Sequence, residues 1–142
     1  MDASICLIES KLKNQYIITF AGANRMLYYY QKGTHNIQTL KGNRKTIGGI
    51  MPDVDQEFVN NRIYLSPGDI IFLNSDGIVD QNNENRKKYT AARFHTSLLT
   101  NIDKPMNEMG VEVYRMFENF KSSAFQRDDI TVLGMRLLDD KD

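Results

Sequence analysis

Asp76 and Asp80 stand four residues apart in the stretch Ile71-Phe72-Leu73-Asn74-Ser75-Asp76-Gly77-Ile78-Val79-Asp80, where an apolar strand pattern runs straight into acid. A second pair, Asp128-Asp129, comes just before another strand pattern, Ile130-Thr131-Val132-Leu133-Gly134-Met135. A carboxylate at the end of a buried strand needs a partner to compensate for lost hydration. A hard divalent cation is one such partner, because Mg²⁺ and Mn²⁺ take carboxylate and water oxygens in preference to imidazole or thiolate. Turn chemistry is the competing explanation: Asn74-Ser75-Asp76-Gly77 suits a turn, and Ser75 or Asp76 suits the cap of a short helix. Arg127 beside Asp128-Asp129 likewise suits a solvated loop, with the base partly neutralising two carboxylates that otherwise repel.

The other reactive residue types offer less. His35 in a polar turn and His95 in a helical stretch have no metal-ligand spacing and are expected at the surface. Cys6 is the single cysteine and lies in an apolar run with no adjacent base to activate a thiolate, so it is expected in the core. One cysteine excludes an internal disulfide and suits a reducing, cytoplasmic compartment. Lys41, Arg44 and Lys45, like Arg86, Lys87 and Lys88, are most simply solvated loops, with docking of a phosphorylated partner as the alternative.

Eighteen basic residues balance eighteen acidic ones, so the field of the whole chain favours neither nucleic acid nor a membrane surface. No segment reaches the roughly 18 apolar residues of a membrane span, and the N-terminus lacks the layout of a signal peptide. At 142 residues the chain matches one average domain that buries roughly two thirds of its unfolded surface.

The positioning elements follow from periodicity. Residues 5–8, 16–21 and 26–31 are β-prone runs that read as an antiparallel meander, followed by a turn at 32–35 and a strand at 36–40. Residues 58–65 alternate as a further strand. Pro67-Gly68 then suits a type II turn, giving a hairpin back into residues 70–73. Residues 81–88 are polar and read as a loop, and residues 91–99 have loosely helical spacing. Pro105 opens a clearer helix, in which Met106, Met109, Val113, Met116, Phe117 and Phe120 form one apolar stripe. Strands first, helices next and one closing strand indicate a layered α+β domain.

Pro67-Gly68-Asp69, then Ser75-Asp76-Gly77 with Asp80, a helix pair, and Asp128-Asp129-Ile130-Thr131 entering a last strand resemble the C-terminal part of a known family. It is that of the metal-dependent, type 2C or PPM, serine/threonine phosphatases, in the bacterial stage II sporulation protein E (SpoIIE)-like branch. Ala21-Gly22-Ala23-Asn24 and Ile47-Gly48-Gly49 stand where the branch carries an Ala-Gly turn and an Ile/Leu-Gly element. Order and spacing over nearly the whole chain carry the resemblance.

The resemblance implies an α+β, layered PPM-like β-sandwich flanked by helices, with residues 1–142 forming a single partial domain that is incomplete at its N-terminus. It implies hydrolysis of phosphoserine or phosphothreonine in a regulatory protein, such as an anti-sigma factor antagonist. The attacking water would be activated by two Mn²⁺ or Mg²⁺ ions about 3.5 to 4 Å apart, which also neutralise phosphoryl charge, so that no side chain forms a covalent intermediate. Residue by residue, Asp76 and Asp128 would bind one metal, and Gly77 would let the backbone approach the site. Asp80 matches a position that helps hold a third, weaker metal, and Asp129 would support the loop by hydrogen bonding.

Departures from the family pattern shape the expectation. The upstream half of the family supplies another metal-binding Asp, often in an Asp-Gly-His-Gly motif, and none of Asp2, Glu9, Asp53, Asp55 and Glu57 matches it. Ala23 stands where many relatives have His. The opening Met1-Asp2-Ala3-Ser4-Ile5 resembles the interior of the domain just before a central strand. The chain is therefore expected to be the C-terminal portion of a phosphatase, weak or inactive alone. A non-catalytic pseudophosphatase or partner-binding module is the alternative. An exposed sheet edge makes a homodimer through unpaired strands a further expectation.

Overall fold

The computed structural model describes residues 1–11, 14–48 and 57–139. Gly49, Asp53 and Asp55, named above, lie outside these residues. In chain order the elements are β1 (Ala3–Lys11), β2 (Gln15–Ala23), β3 (Met26–Tyr30), β4 (Gln38–Lys41), β5 (Asn61–Leu65), β6 (Ile70–Asn74), α1 (Asp76–Asp80), α2 (Thr90–Thr100), α3 (Met106–Lys121) and β7 (Val132–Arg136). The strands form two sheets, of order β1-β2-β5 and β4-β3-β6-β7. The architecture is α+β, as expected. By contacts the chain divides into two units, one of residues 1–34, 38–73 and 136–142 and one of residues 35–37 and 74–135.

The first unit is built on period-two alternation. In β1, Cys6 and Ile8 turn inward opposite Phe20 and Ile18 of β2, while Ile5 and Leu7 stay exposed on the other face. Ile18, Phe20, Leu27, Leu65, Ile71 and Leu137 form the buried cluster, with Ile63, Leu40 and Leu73 packed against it. Each fully buried Phe, Leu or Ile contributes about 1.5 to 3 kcal/mol relative to exposure. Cys6, expected in the core, is half-buried and packs against the edge of this cluster, and that burial pushes its thiol pKa up.

Two connections differ from the sequence reading. β1 and β2 pair as expected, but β3 does not continue the meander; it belongs to the other sheet. The chain leaves β2 through Asn24, whose φ is +52°, and the amides of Asn24 and Asn43 bond to Asn43 and Gly22 carbonyls at 2.8 Å.

The second difference concerns β5 and β6. The type II turn is present, with Gly68 at φ +93° and the Asp69 amide donating to the Ser66 carbonyl at 3.0 Å. The flanking strands do not form a hairpin, because β5 pairs with β2 and β6 with β3. Ile70, Ile71 and Phe72 are buried in succession, so β6 is covered on both faces and sits inside its sheet instead of closing a ribbon. Residues 58–60, read as part of β5, lie outside that strand, and the Val59 amide donates to the Asn43 side chain at 2.9 Å.

In the second unit the stripe on α3 is realised: Met109, Val113 and Phe117 are buried and Met106, Met116 and Phe120 half-buried. The Tyr89 ring meets Phe117 and Phe120 edge-on at 5.3 and 5.1 Å, and the Arg93 guanidinium lies 5.0 Å from the Phe120 ring centre. His95 is half-buried, not on the surface as expected, because it flanks the buried Phe94 on α2. That burial holds its imidazole pKa below the usual value.

Asp69 is the buried joint of the first unit. At 5 % exposure its carboxylate accepts from the amides of Lys32 and Ser66, both at 2.8 Å. Asp69→Ala leaves both donors without that partner and is expected to cost about 2 to 3 kcal/mol. Urea unfolding checks it: the midpoint should fall with an unchanged slope, and a wild-type midpoint refutes the joint. Gly110, with open space where a Cβ would go, should respond oppositely: Gly110→Ala is expected to raise stability by about 0.5 to 1 kcal/mol.

Candidate metal centre

Ser75 organises the end of β6. Its amide donates to the Thr131 carbonyl at 2.9 Å, and its hydroxyl donates to the Asp129 carbonyl at 2.9 Å while accepting from the Thr131 amide at 3.0 Å. Ser75 occupies the position before α1 but its side chain makes no helix cap; the hydroxyl is committed to the segment before β7. Gly77, buried in the first turn of α1, lies directly under that segment. A Cβ on Gly77 would fall on the Asp129 carbonyl oxygen, so only glycine allows the approach.

This seating creates a recess of about 400 Å³ lined by Gly77, Asp80, Asn82, Lys88, Arg127 and Asp128. Three of the residues singled out from sequence, Gly77, Asp80 and Asp128, thus line the same recess. Asp76 opens α1 and is half-buried, but it is not among the lining residues, and Asp129 contributes its backbone. The Asp128 carboxylate accepts from the Asp129 amide at 2.8 Å. Lys88 pairs with Asp80 at 2.7 Å, with both side chains more than half exposed, so the pair adds at most about 1 kcal/mol. Arg127 does not neutralise the acidic pair as its sequence position suggests: its guanidinium forms no ion pair among the described residues.

Two residues the sequence reading passed over hold the loop that carries Asp128. Gln81, 1 % exposed, donates from Nε2 to the carbonyls of Asn82 and Phe125 at 2.8 and 3.0 Å and accepts from the Arg127 amide at 3.3 Å. Glu84 accepts from the Ser122 hydroxyl at 2.9 Å, the Ser123 amide at 3.0 Å and the Ser123 hydroxyl. These bonds, the Ser123 hydroxyl first, hold the Glu84 carboxyl below the usual carboxylate range. The polar tract 81–88 was legible as a loop. Its internal order, with Asn83 accepting from the Asn85 and Lys87 amides at 3.1 and 3.0 Å, is the kind that Asn-rich sequence signals.

The donor chemistry fits a hard cation. The wall offers carboxylate oxygens, and the missing Cβ of Gly77 leaves backbone close to the acidic loop. Among the described residues no group of three or more His, Cys, Asp or Glu side chains is gathered that could hold an ion, fewer than the six or more oxygens such an ion takes.

The family model for stage II sporulation protein E (SpoIIE) matches residues 3–138. The chain belongs to the SpoIIE family. A search of curated proteins found no match. Among solved structures, the SiaA-PP2C domain of Pseudomonas aeruginosa is similar over 86 % of this chain and 50 % of its own, at 29 % identity and a TM-score of 0.73. The manganese-presoaked phosphatase domain of the cell fate determinant SpoIIE from Bacillus subtilis matches over 96 % and 57 %, at 14 % identity and a TM-score of 0.58. The Mycobacterium tuberculosis serine/threonine phosphatase PstP/Ppp matches over 96 % and 60 %, at 13 % identity and a TM-score of 0.56. At such identities the last two share the fold alone. The SpoIIE-family chain has the PP2C, or PPM, phosphatase fold and spans 50 to 60 % of the length of these relatives.

Two outcomes follow from this geometry. Gly77→Ala is expected to lower the thermal midpoint and to shift the amide resonances of residues 128–131, and a silent spectrum there refutes the close approach. Because the Glu84 pKa is lowered on folding, its contribution is present above the ordinary carboxylate pKa of about 4.3 and fades as pH falls through the lowered folded value. Urea midpoints measured from pH 7 to 3 should therefore show a shallower acid limb in Glu84→Gln than in the wild type.

Proposed function

We propose that this chain is the C-terminal portion of a metal-dependent protein serine/threonine phosphatase, acting on phosphoserine or phosphothreonine of a regulatory protein. The observation that carries the reading is the seating of the Asp128 loop on Gly77, which puts Asp80 and Asp128 on one recess in a chain of the SpoIIE family. Asp76 and Asp128 would hold one Mn²⁺ or Mg²⁺ ion, Gly77 admits backbone to it, Asp80 serves a more peripheral cation, and Asp129 steadies the loop through its carbonyl. The cation, when bound, would lend positive charge to phosphoryl oxygens and acidify water. The remaining donors would come from outside these residues. The substrate class that fits the family resemblance is a small phosphorylated regulator, such as an anti-sigma factor antagonist.

Calorimetric titration with Mn²⁺ tests the reading. The 142-residue chain should bind Mn²⁺ weakly, and Asp76→Asn or Asp128→Asn should abolish the binding; heats unaffected by either change sink the assignment. Turnover of a phosphoserine peptide by this chain should be weak or absent, and robust Mn²⁺-dependent hydrolysis would show that the described donors suffice alone.

A further inference from the structure

We propose that Arg127 is the residue that receives the phosphoryl oxygens of the phosphoester, and that the buried amide of Gln81 positions it; the proposal rests on the phosphatase reading above. The recess carries both signs of charge. Asp80 and Asp128 suit a cation, whereas Lys88 and Arg127 suit an anion, and a phosphomonoester next to a divalent ion needs both. The two bases are not equivalent. Lys88 is already held by Asp80 at 2.7 Å, while the Arg127 guanidinium forms no ion pair among the described residues although two aspartates follow it in sequence.

A planar guanidinium presents paired N–H donors that match two oxygens of a phosphoryl group, a geometry an ammonium cannot reproduce. Its backbone is fixed from within the protein. Gln81 Oε1 accepts from the Arg127 amide at 3.3 Å and Gln81 Nε2 donates to the Phe125 carbonyl at 3.0 Å, so both sides of residue 126 are tied to a side chain that is 1 % exposed. Glu84 secures the same loop further upstream through Ser122 and Ser123. Arg127 thus lines the recess from an anchored backbone, and its guanidinium has no ion-pair partner among the described residues. The volume, about 400 Å³, lies within the range of small-molecule sites and admits a phosphoryl group. With two carboxylates on the wall, an anion should bind better once a cation is present.

Titration of the 142-residue chain with orthophosphate, with and without Mg²⁺ and followed by ¹⁵N resonances including Arg127 Nε, tests this. Orthophosphate should shift Arg127 and its recess neighbours, more strongly with Mg²⁺. Arg127→Gln should weaken the dissociation constant at least fivefold, with Arg127→Lys partly restoring it and Mg²⁺ affinity staying within twofold of the wild type. Gln81→Met should weaken orthophosphate to a similar degree and speed hydrogen exchange of the Arg127 amide at least tenfold. Orthophosphate that binds equally well to Arg127→Gln, or that perturbs no recess residue, overturns the proposal. A Gln81→Met chain with unchanged exchange and unchanged phosphate affinity overturns the positioning role. Orthophosphate bound through Arg127 in a chain that takes up no Mg²⁺ sinks the metal reading and leaves the Arg127 assignment standing. Mg²⁺ lost on Asp128→Asn beside phosphate indifferent to Arg127 does the reverse.

Discussion

The close approach of residues 129–131 to Ser75 and Gly77 is the constraint from which the site follows. Ser75 exchanges three hydrogen bonds with Asp129 and Thr131, and Gly77 gives up its side chain so that a carbonyl can rest on the first turn of α1. Neither feature is chemistry in itself. Together they bring the exit from β6 and the entry to β7 side by side, and the acidic residues following one and preceding the other come with them.

Above that contact the loop is held by side chains more than by backbone ladders. A fully buried amide such as that of Gln81 is costly if left unsatisfied, so once Gln81 is enclosed its three partners are fixed with it. Glu84 does the same from the solvent side through the two serines after α3. The recess therefore has walls of mixed charge without the ion pair between Arg127 and Asp128 that would collapse them, a combination that depends on where the backbone is pinned.

What was legible in the sequence was what periodicity can carry. The β-prone runs of β1 and β2 and the Met and Phe stripe of α3 announce strands and a buried helix face, and the structure has them, although Ile17 and Ile18 together bury both faces of β2. The partner across that face is another matter. Nothing in the β-prone run from residue 26 to 31 says that β3 joins a different sheet from β2, and the type II turn at Pro67-Gly68 is the same turn whether it closes a hairpin or carries the chain between sheets. The switch from strand to helix at Ser75 falls within too few residues for a period to show, yet it decides that Asp80 lines the recess while Asp76 does not. Gln81 read as one polar residue among many because only tertiary enclosure distinguishes it.

The Ser75 to Asp129 bond joins residues 54 positions apart. Closing so long a flexible loop costs about 3.5 kcal/mol by the logarithmic loop-closure relation, whereas here the intervening chain is spanned by α2 and α3, which have already given up their freedom in folding on their own apolar faces. Much of the entropy of assembling the acidic residues is thus met by the ordering of the helices between them, so the site depends on α2 and α3 even though neither lines the recess.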